Sequence, residues 1–407
     1  MASSFPLIEI EKLGVVAPRG FRTAAISCGI KDPTASRLDM ALIHSAEPTV
    51  AAATFTTNRV KAAPVRLSQK HLAHGRIQAV IVNSGNANAC NGEPGKAAAL
   101  SMATQTAEAL ELEPSQVFIC STGVIGTPMP MERIEPKIGP LARSLQAEEG
   151  LSAAEAIMTS DTRPKMRAVE FEIQGKPVRI GAMTKGAGMI NPTMATMLCF
   201  VTTDAAISRE ALQTATSEAV SESFNCISVD GDMSTNDTVL VMANGEAKNP
   251  AITEGSADAT LFGEALEEVL LSLAKMMVKD GERVTKFVEV EIEGARSKEE
   301  ARLAGKAVAN SLLVKSAWNG GRAYWGRIMD AIGYSGAEFD DEAVAIFYND
   351  LQAVENSCAT GTPAEALHAI TETDEFRIRI DLKAGPVSHT IYTSDVSTGF
   401  IEYNQVE

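Results

Sequence analysis

Short runs with period-two apolar alternation take turns with helical periodicity along the whole chain. This switching constrains the fold more than any other feature. The most explicit case is Val169–Ile173, which alternates, turns at Gln174-Gly175-Lys176-Pro177 and resumes at Val178–Met183. Two such runs around a glycine-containing turn predict a β-hairpin. Strands are also expected at Phe21–Ile30, as a pair within Leu38–Phe55, and at Gln78–Val82, Val117–Cys120, Met197–Thr202, Phe287–Ile292 and Leu312–Ala317. A late hairpin is expected from Phe376–Leu382 and Ser388–Thr393. Helical periodicity marks Glu93–Leu112, a helix capped by Ser208 and running towards Phe224, Leu261–Lys279 and Lys298–Ala309. Strands and helices intermixed at this density predict a layered α/β architecture, with sheets flanked by helices.

With 407 residues the chain exceeds one ordinary core, so two or three domains or one large layered domain are expected. A formal net charge of -16 argues against nucleic acid or an anionic membrane as partner, because phosphates repel an acidic surface. Met1–Val16 lacks a basic region followed by an apolar run, so no signal peptide is expected. No stretch approaches the roughly 18 uninterrupted apolar residues of a membrane span. Six scattered cysteines without a CxxC pair read as free thiols in a reducing cytoplasm.

Familiar chemistries are excluded by reading. The five histidines do not cluster with cysteines, and His71 and His74, which share a helical face, are expected at the surface. There is no HExxH, P-loop or GxSxG elbow. Gly186-Ala187-Gly188-Met189-Ile190-Asn191 misses the third glycine of the dinucleotide fingerprint. The acidic turn Asp230–Asp237 lacks the glycine and glutamate of a calcium loop, so its side chains are expected to cap backbone groups. No metal is implied. Nucleophilic catalysis in this chain needs a base other than histidine.

One stretch carries such chemistry. Lys185-Gly186-Ala187-Gly188-Met189-Ile190-Asn191-Pro192-Thr193-Met194-Ala195-Thr196-Met197-Leu198 leads from a glycine-rich loop into a threonine at a strand start. It resembles the self-cleavage motif of the ornithine acetyltransferase family, the bifunctional glutamate N-acetyltransferases of arginine biosynthesis. Further family blocks occur in the right order at Val82–Ala89, Ser121–Gly126, Ile157–Thr162, Val229–Thr238 and Asp280–Glu282.

The resemblance implies an N-terminal-nucleophile type of fold with a smaller C-terminal lobe from about residue 285. It implies that the Ala195–Thr196 bond is cut by the hydroxyl of Thr196, giving fragments 1–195 and 196–407 that stay together and oligomerise. Thr196 then carries the acetyl group. Thr122 and Gly123 supply the oxyanion donors, and Thr159, Lys185, Glu282 and Asn404 bind substrate together with Thr196. The implied reaction moves acetyl from N-acetylornithine to glutamate in the cytoplasm. It needs no cofactor, acetyl-CoA entering as a second donor if the protein is bifunctional. Two alternatives stand beside it, an N-terminal-threonine aminopeptidase or amidohydrolase and an uncleaved ligand-binding scaffold. Ser316, Arg322 and Tyr324 stand where the family more often has Thr, Asp and Asn, which bears on substrate choice.

Overall fold

The computed structural model describes residues 5–191 and 197–405. Its contacts divide the chain into two units, the first comprising residues 1–186, 193–225 and 233–274, and the second residues 187–192, 226–232 and 275–407.

The first unit holds two sheets. A six-stranded sheet runs in the spatial order Ile8–Glu9, Lys165–Ile173, Lys176–Lys185, Leu198–Thr203, Thr238–Ala243, Val50–Phe55. A four-stranded sheet runs Phe21–Ile26, Met40–Ser45, Ala79–Asn83, Val117–Ser121. Alternate residues of each strand point to opposite faces, and the inward sets meet. Ile43, Val80, Val82 and Phe118 of the smaller sheet share one buried cluster with Met183, Leu198, Phe200, Leu240 and Met242 of the larger. The opposite face of the smaller sheet (Met40, Leu42, Ile81, Ile119) is covered by helices Gly92–Leu110 and Met131–Arg143 through Met102, Ala103, Ile134, Ile138 and Leu141. Helices Arg209–Glu222 and Ala257–Lys279 pack on the larger sheet, Phe171 meeting Phe262 at 6.4 Å between ring centroids. The layers therefore run helix, sheet, sheet, helix, which is the layered α/β class predicted.

The expected hairpin forms as Lys165–Ile173 with Lys176–Lys185. Ser208 caps its helix by accepting from the Ala211 N–H. The pair within Leu38–Phe55 forms as two strands, Met40–Ser45 and Val50–Phe55, that join different sheets instead of each other. His71 is buried, not exposed, with Nδ1 at 2.7 Å from the Val117 carbonyl.

The second unit is built on a seven-stranded sheet, Ile227–Ser228, Val387–Ser394, Phe287–Ala295, Glu375–Asp381, Ala345–Tyr348, Leu351–Glu355, Cys358–Ala359. Val288, Val290, Ile292, Ile378 and Ile380 bury against Ala304, Val308, Trp318, Ile328 and Ile332 of the helices on one face. Two expectations are corrected in this unit. Glu375–Asp381 and Val387–Ser394 do not pair as a hairpin, because Phe287–Ala295 lies between them, parallel to the first and antiparallel to the second. Leu312–Ala317 is not a strand but part of helix Leu312–Asn319, started by Ser311 accepting from the Val314 N–H. A short apolar run reads alike in either period, and the cap and the burial of Val314, Lys315, Ala317 and Trp318 decide for the helix.

Lys315 is buried in this unit, its Nζ donating to Thr393 Oγ1 at 3.1 Å and to the Ser394 carbonyl. Burial holds its pKa down to about 7 from 10.5, only partly offset by Asp395 and Asp230. Between those two values the folded lysine is neutral while the unfolded one keeps its proton, so this group makes stability rise with pH. Wild type is therefore expected to gain on Lys315→Met by about 1.4 kcal/mol per pH unit between pH 7.5 and 9.5. Urea unfolding of both proteins at the two pH values checks this.

Candidate active site

The site grows from strand ends in the first unit. Strand Val117–Ser121 finishes at Thr122-Gly123, and the Thr122 N–H donates to the Asn83 carbonyl at 2.9 Å. Gly123 has φ +129°, and a Cβ there would run into the backbone of Gly85 and Asn86. Glycine is required at this close approach. The asparagines of Val82–Ala89 hold the same loop. Asn83 Nδ2 donates to the Asn86 carbonyl at 3.0 Å, and Asn86 Nδ2 donates to the carbonyls of Thr127 and Pro128 at 3.0 and 3.1 Å. This is why a turn-rich segment is buried: its amides replace a regular ladder.

Lys185 ends its strand nearly buried, with 7% exposure. Its Nζ donates to Thr159 Oγ1 at 2.6 Å and to Thr122 Oγ1 at 3.3 Å. Two hydroxyls from separate segments thus converge on the one ammonium group of Lys185. Its donation into Thr122 Oγ1 leaves that hydroxyl's own proton available for another acceptor.

Ala195 and Thr196, and with them the expected cleavage bond, lie outside the described residues. Met197, the next residue, is held at both ends of its backbone. Its N–H donates to Asp237 Oδ1 at 2.7 Å, and the Thr238 N–H donates to its carbonyl at 2.9 Å. Burial pushes the Asp237 carboxyl well above the usual carboxylate range, against the pull of the Met197 N–H and the Lys185 charge. Lys185 is opposite Leu198 in the antiparallel register, so strands from both sides of residue 196 are hydrogen-bonded together.

In the second unit, Asn404 Nδ2 donates to Glu282 Oε2 at 3.0 Å, and the Glu282 N–H donates to the Ala187 carbonyl at 3.1 Å. A Cβ on Gly188 would collide with the Glu282 carboxyl, which accounts for that glycine. The structure thus brings Thr122, Thr159 and Lys185 together in the first unit, with Gly123 next to Thr122, and Glu282 with Asn404 in the second. The three departures from the family pattern are engaged close to home. Ser316 Oγ bonds the Leu312 carbonyl, the Arg322 N–H bonds the Ala317 carbonyl, and the exposed Tyr324 ring lies 5.2 Å from the Arg327 guanidinium.

The acidic turn caps backbone groups, as expected. Asp230 Oδ1 accepts from the N–H groups of Ile190 and Asp232 at 2.8 and 3.0 Å. Two buried residues inside segments the sequence singled out do more than was read for them. Asn236 Nδ2 donates to the carbonyls of Ala87 and Ser121 at 2.6 and 2.7 Å, next to the Asp237 that holds Met197. The pair ties the strand end before Thr122 to the strand start after Thr196. Asp161, the other, accepts from Lys165, Gly186 and Thr159, and its four-residue spacing from Lys165 was the available signal. Removing the Asn236 amide strands two buried carbonyls, each costing about 1–3 kcal/mol. Asn236→Ala is expected to lower unfolding free energy by roughly 2–4 kcal/mol in urea titrations.

Among the described residues no group of three or more His, Cys, Asp or Glu is arranged to hold a metal, and no helix is long and apolar enough to cross a membrane.

The ArgJ family model matches residues 22–406. This chain belongs to the ArgJ family. It is similar to the arginine biosynthesis bifunctional protein ArgJ of Geobacter sulfurreducens, at 48% identity over 387 residues, covering 95% of this chain and 98% of that one. The ArgJ protein of Symbiobacterium thermophilum is also 48% identical over 391 residues, covering 96% and 97%. Among solved structures, ArgJ from Bacillus halodurans superposes with a TM-score of 0.51 at 40% identity, covering 52% of this chain and all of that one. The ArgJ match includes every block on which the family resemblance was read, Val82–Ala89 through Asp280–Glu282.

Proposed function

We propose that this ArgJ-family chain is a self-cleaving acetyltransferase of arginine biosynthesis that moves acetyl from N-acetylornithine to glutamate through an acyl-Thr196 intermediate. The observation that carries the reading is the convergence of Thr122, Thr159 and Lys185 in the same unit whose sheet takes up the strand after Thr196. A family match over residues 22–406 and relatives named as bifunctional arginine-biosynthesis proteins support it.

Cleavage of Ala195–Thr196 frees an α-amine with an ordinary pKa of about 7.7–8.0, close to working pH. That amine takes the proton from Thr196 Oγ as the oxygen attacks the acetyl carbonyl carbon. The Thr122 hydroxyl and the Gly123 N–H donate to the tetrahedral oxyanion. The intermediate collapses, the nitrogen of ornithine takes the proton and leaves, and the acetyl group stays on Thr196 as an ester. The amine of glutamate then attacks this ester, giving N-acetylglutamate and regenerating Thr196. Lys185 offers a charge for a substrate carboxylate and Thr159 a hydrogen bond to the substrate, while Glu282 meets the ammonium end of an ornithine-like ligand and Asn404 binds substrate.

No cofactor enters this scheme, and acetyl-CoA would serve as a second acetyl donor for the bifunctional activity. Fragments 1–195 and 196–407 remain associated and oligomerise, the second including a smaller lobe from about residue 285. The protein acts in the cytoplasm on small molecules. Incubation with acetyl-labelled N-acetylornithine and glutamate tests the reading. Label in N-acetylglutamate is the expected result, whereas label in free acetate alone would make the protein a hydrolase.

A further inference from the structure

We propose that Asp161 is a positioning residue of the acetyl-transfer site, fixing Thr159 and Lys185 relative to each other. The inference rests on the functional reading above. Thr159 lies just beyond helix Leu151–Ala156, and Lys185 ends the strand Lys176–Lys185, so no regular ladder sets their spacing. Asp161 does so from a buried position. Its Oδ2 accepts from the Thr159 N–H at 3.0 Å, and its Oδ1 accepts from the Gly186 N–H at 2.7 Å. The Lys185 ammonium then bonds Thr159 Oγ1 at 2.6 Å. These contacts close a ring that runs from the carboxylate through Thr159, the Lys185 side chain and the Lys185–Gly186 peptide back to the carboxylate. The ring also aims Lys185 at Thr122 Oγ1.

A carboxylate suits this place because all its lone pairs accept, and three donors converge on it. The third is Lys165, whose Nζ lies 2.6 Å from Oδ1 with both side chains at 1% exposure or less. Burial by itself would raise the Asp161 pKa. The Lys185 and Lys165 charges and the Gly186 N–H outweigh burial and hold it at about 2, so the ring is charged throughout the working range. An asparagine would present one acceptor and one donor, and its NH2 would face an N–H or an ammonium.

The competing role is that Asp161 serves only as the counter-ion of Lys165. Three full-length variants separate the two: Asp161→Asn, Lys165→Met, and the two combined, each assayed for Tm and for steady-state acetyl transfer. The ring requires that Lys165→Met keep the wild-type KM for the acetyl donor. It also requires that the double variant, relieved of the unpaired lysine, regain Tm over Asp161→Asn yet keep a KM raised about tenfold or more. A double variant that regains both Tm and KM would overturn the positioning role. Should the double variant fail to fold, Asp161→Asn and Lys165→Met are read together below their Tm, a KM raised in Asp161→Asn alone supporting the ring and any other pattern overturning it. Wild type run beside them tests the functional reading separately, since a wild type that transfers no acetyl group defeats that reading and with it this inference.

Discussion

Replacing Thr196 with alanine is expected to leave one 43.1 kDa chain where wild type separates into two. Dividing the mass in proportion to residues 1–195 and 196–407 gives fragments of about 21 and 22 kDa. The variant loses the hydroxyl that attacks the Ala195 carbonyl, so the peptide bond persists. It also loses both the nucleophile and the amine that activates it, because the α-nitrogen of residue 196 stays in an amide, which is no base at neutral pH. Acetyl transfer should fall to background, a loss of the order seen when nucleophile or base is removed from a catalytic unit, roughly 10⁶-fold. Thr196→Ser keeps the hydroxyl and the amine and is expected to cut. Intact mass followed by label transfer reads both effects. An uncut wild type with full activity would defeat the mechanism while leaving the fold untouched.

The second large effect is expected at Thr122. Its hydroxyl is placed by the end of strand Val117–Ser121 and receives the Lys185 ammonium at 3.3 Å. If it donates to the oxyanion, Thr122→Ala should lower kcat by about 10²–10³-fold, corresponding to roughly 2.7–4 kcal/mol of transition-state stabilisation. The KM should stay near wild type, because the donor acts on charge that develops only at the tetrahedral stage. Lys185 keeps its bond to Thr159 in the variant, so carboxylate binding is spared. Thr122→Ser restores the hydroxyl and should restore most of kcat. The measurement belongs on protein already cut at residue 196, so that a slower cut is not counted as slower transfer. A rise in KM with kcat unchanged would assign Thr122 to ground-state binding instead.

Much of this arrangement was legible in the sequence where the signal is local. The hairpin around Gln174-Gly175 and the Ser208 cap depend on neighbours in the chain, and both formed close to their expected bounds. The capping role of the acidic turn was legible for the same reason. The features that stayed hidden depend on partners far along the chain. The strand Phe287–Ala295 inserts between two strands that come some 80 residues later and are adjacent in sequence, and no periodicity announces a parallel neighbour from so far away. His71 was expected at the surface together with His74, whereas Val117, 46 residues on, supplies the carbonyl that lets it be buried. Thr122, Thr159 and Lys185 were reached through family resemblance, since alone each is an ordinary loop or strand-end residue. Asn236 and Asp161 stand in segments the sequence singled out, but their partners Ala87, Ser121 and Gly186 lie 25 or more residues away and stayed hidden.

The antiparallel ladder between Lys176–Lys185 and Leu198–Thr203 has a consequence for how the protein comes apart. If the chain is cut at Ala195–Thr196 as proposed, these strands belong to one chain before the cut, and their separation is then a unimolecular event. Afterwards each fragment holds one of them, and the same sheet can be lost only by dissociation as well as unfolding. Stability then acquires a dependence on protein concentration, with dilution favouring the unfolded pieces by mass action. The proposed cut would thus turn one folded chain into a complex of two fragments, bound by a core that was assembled while they were still one molecule.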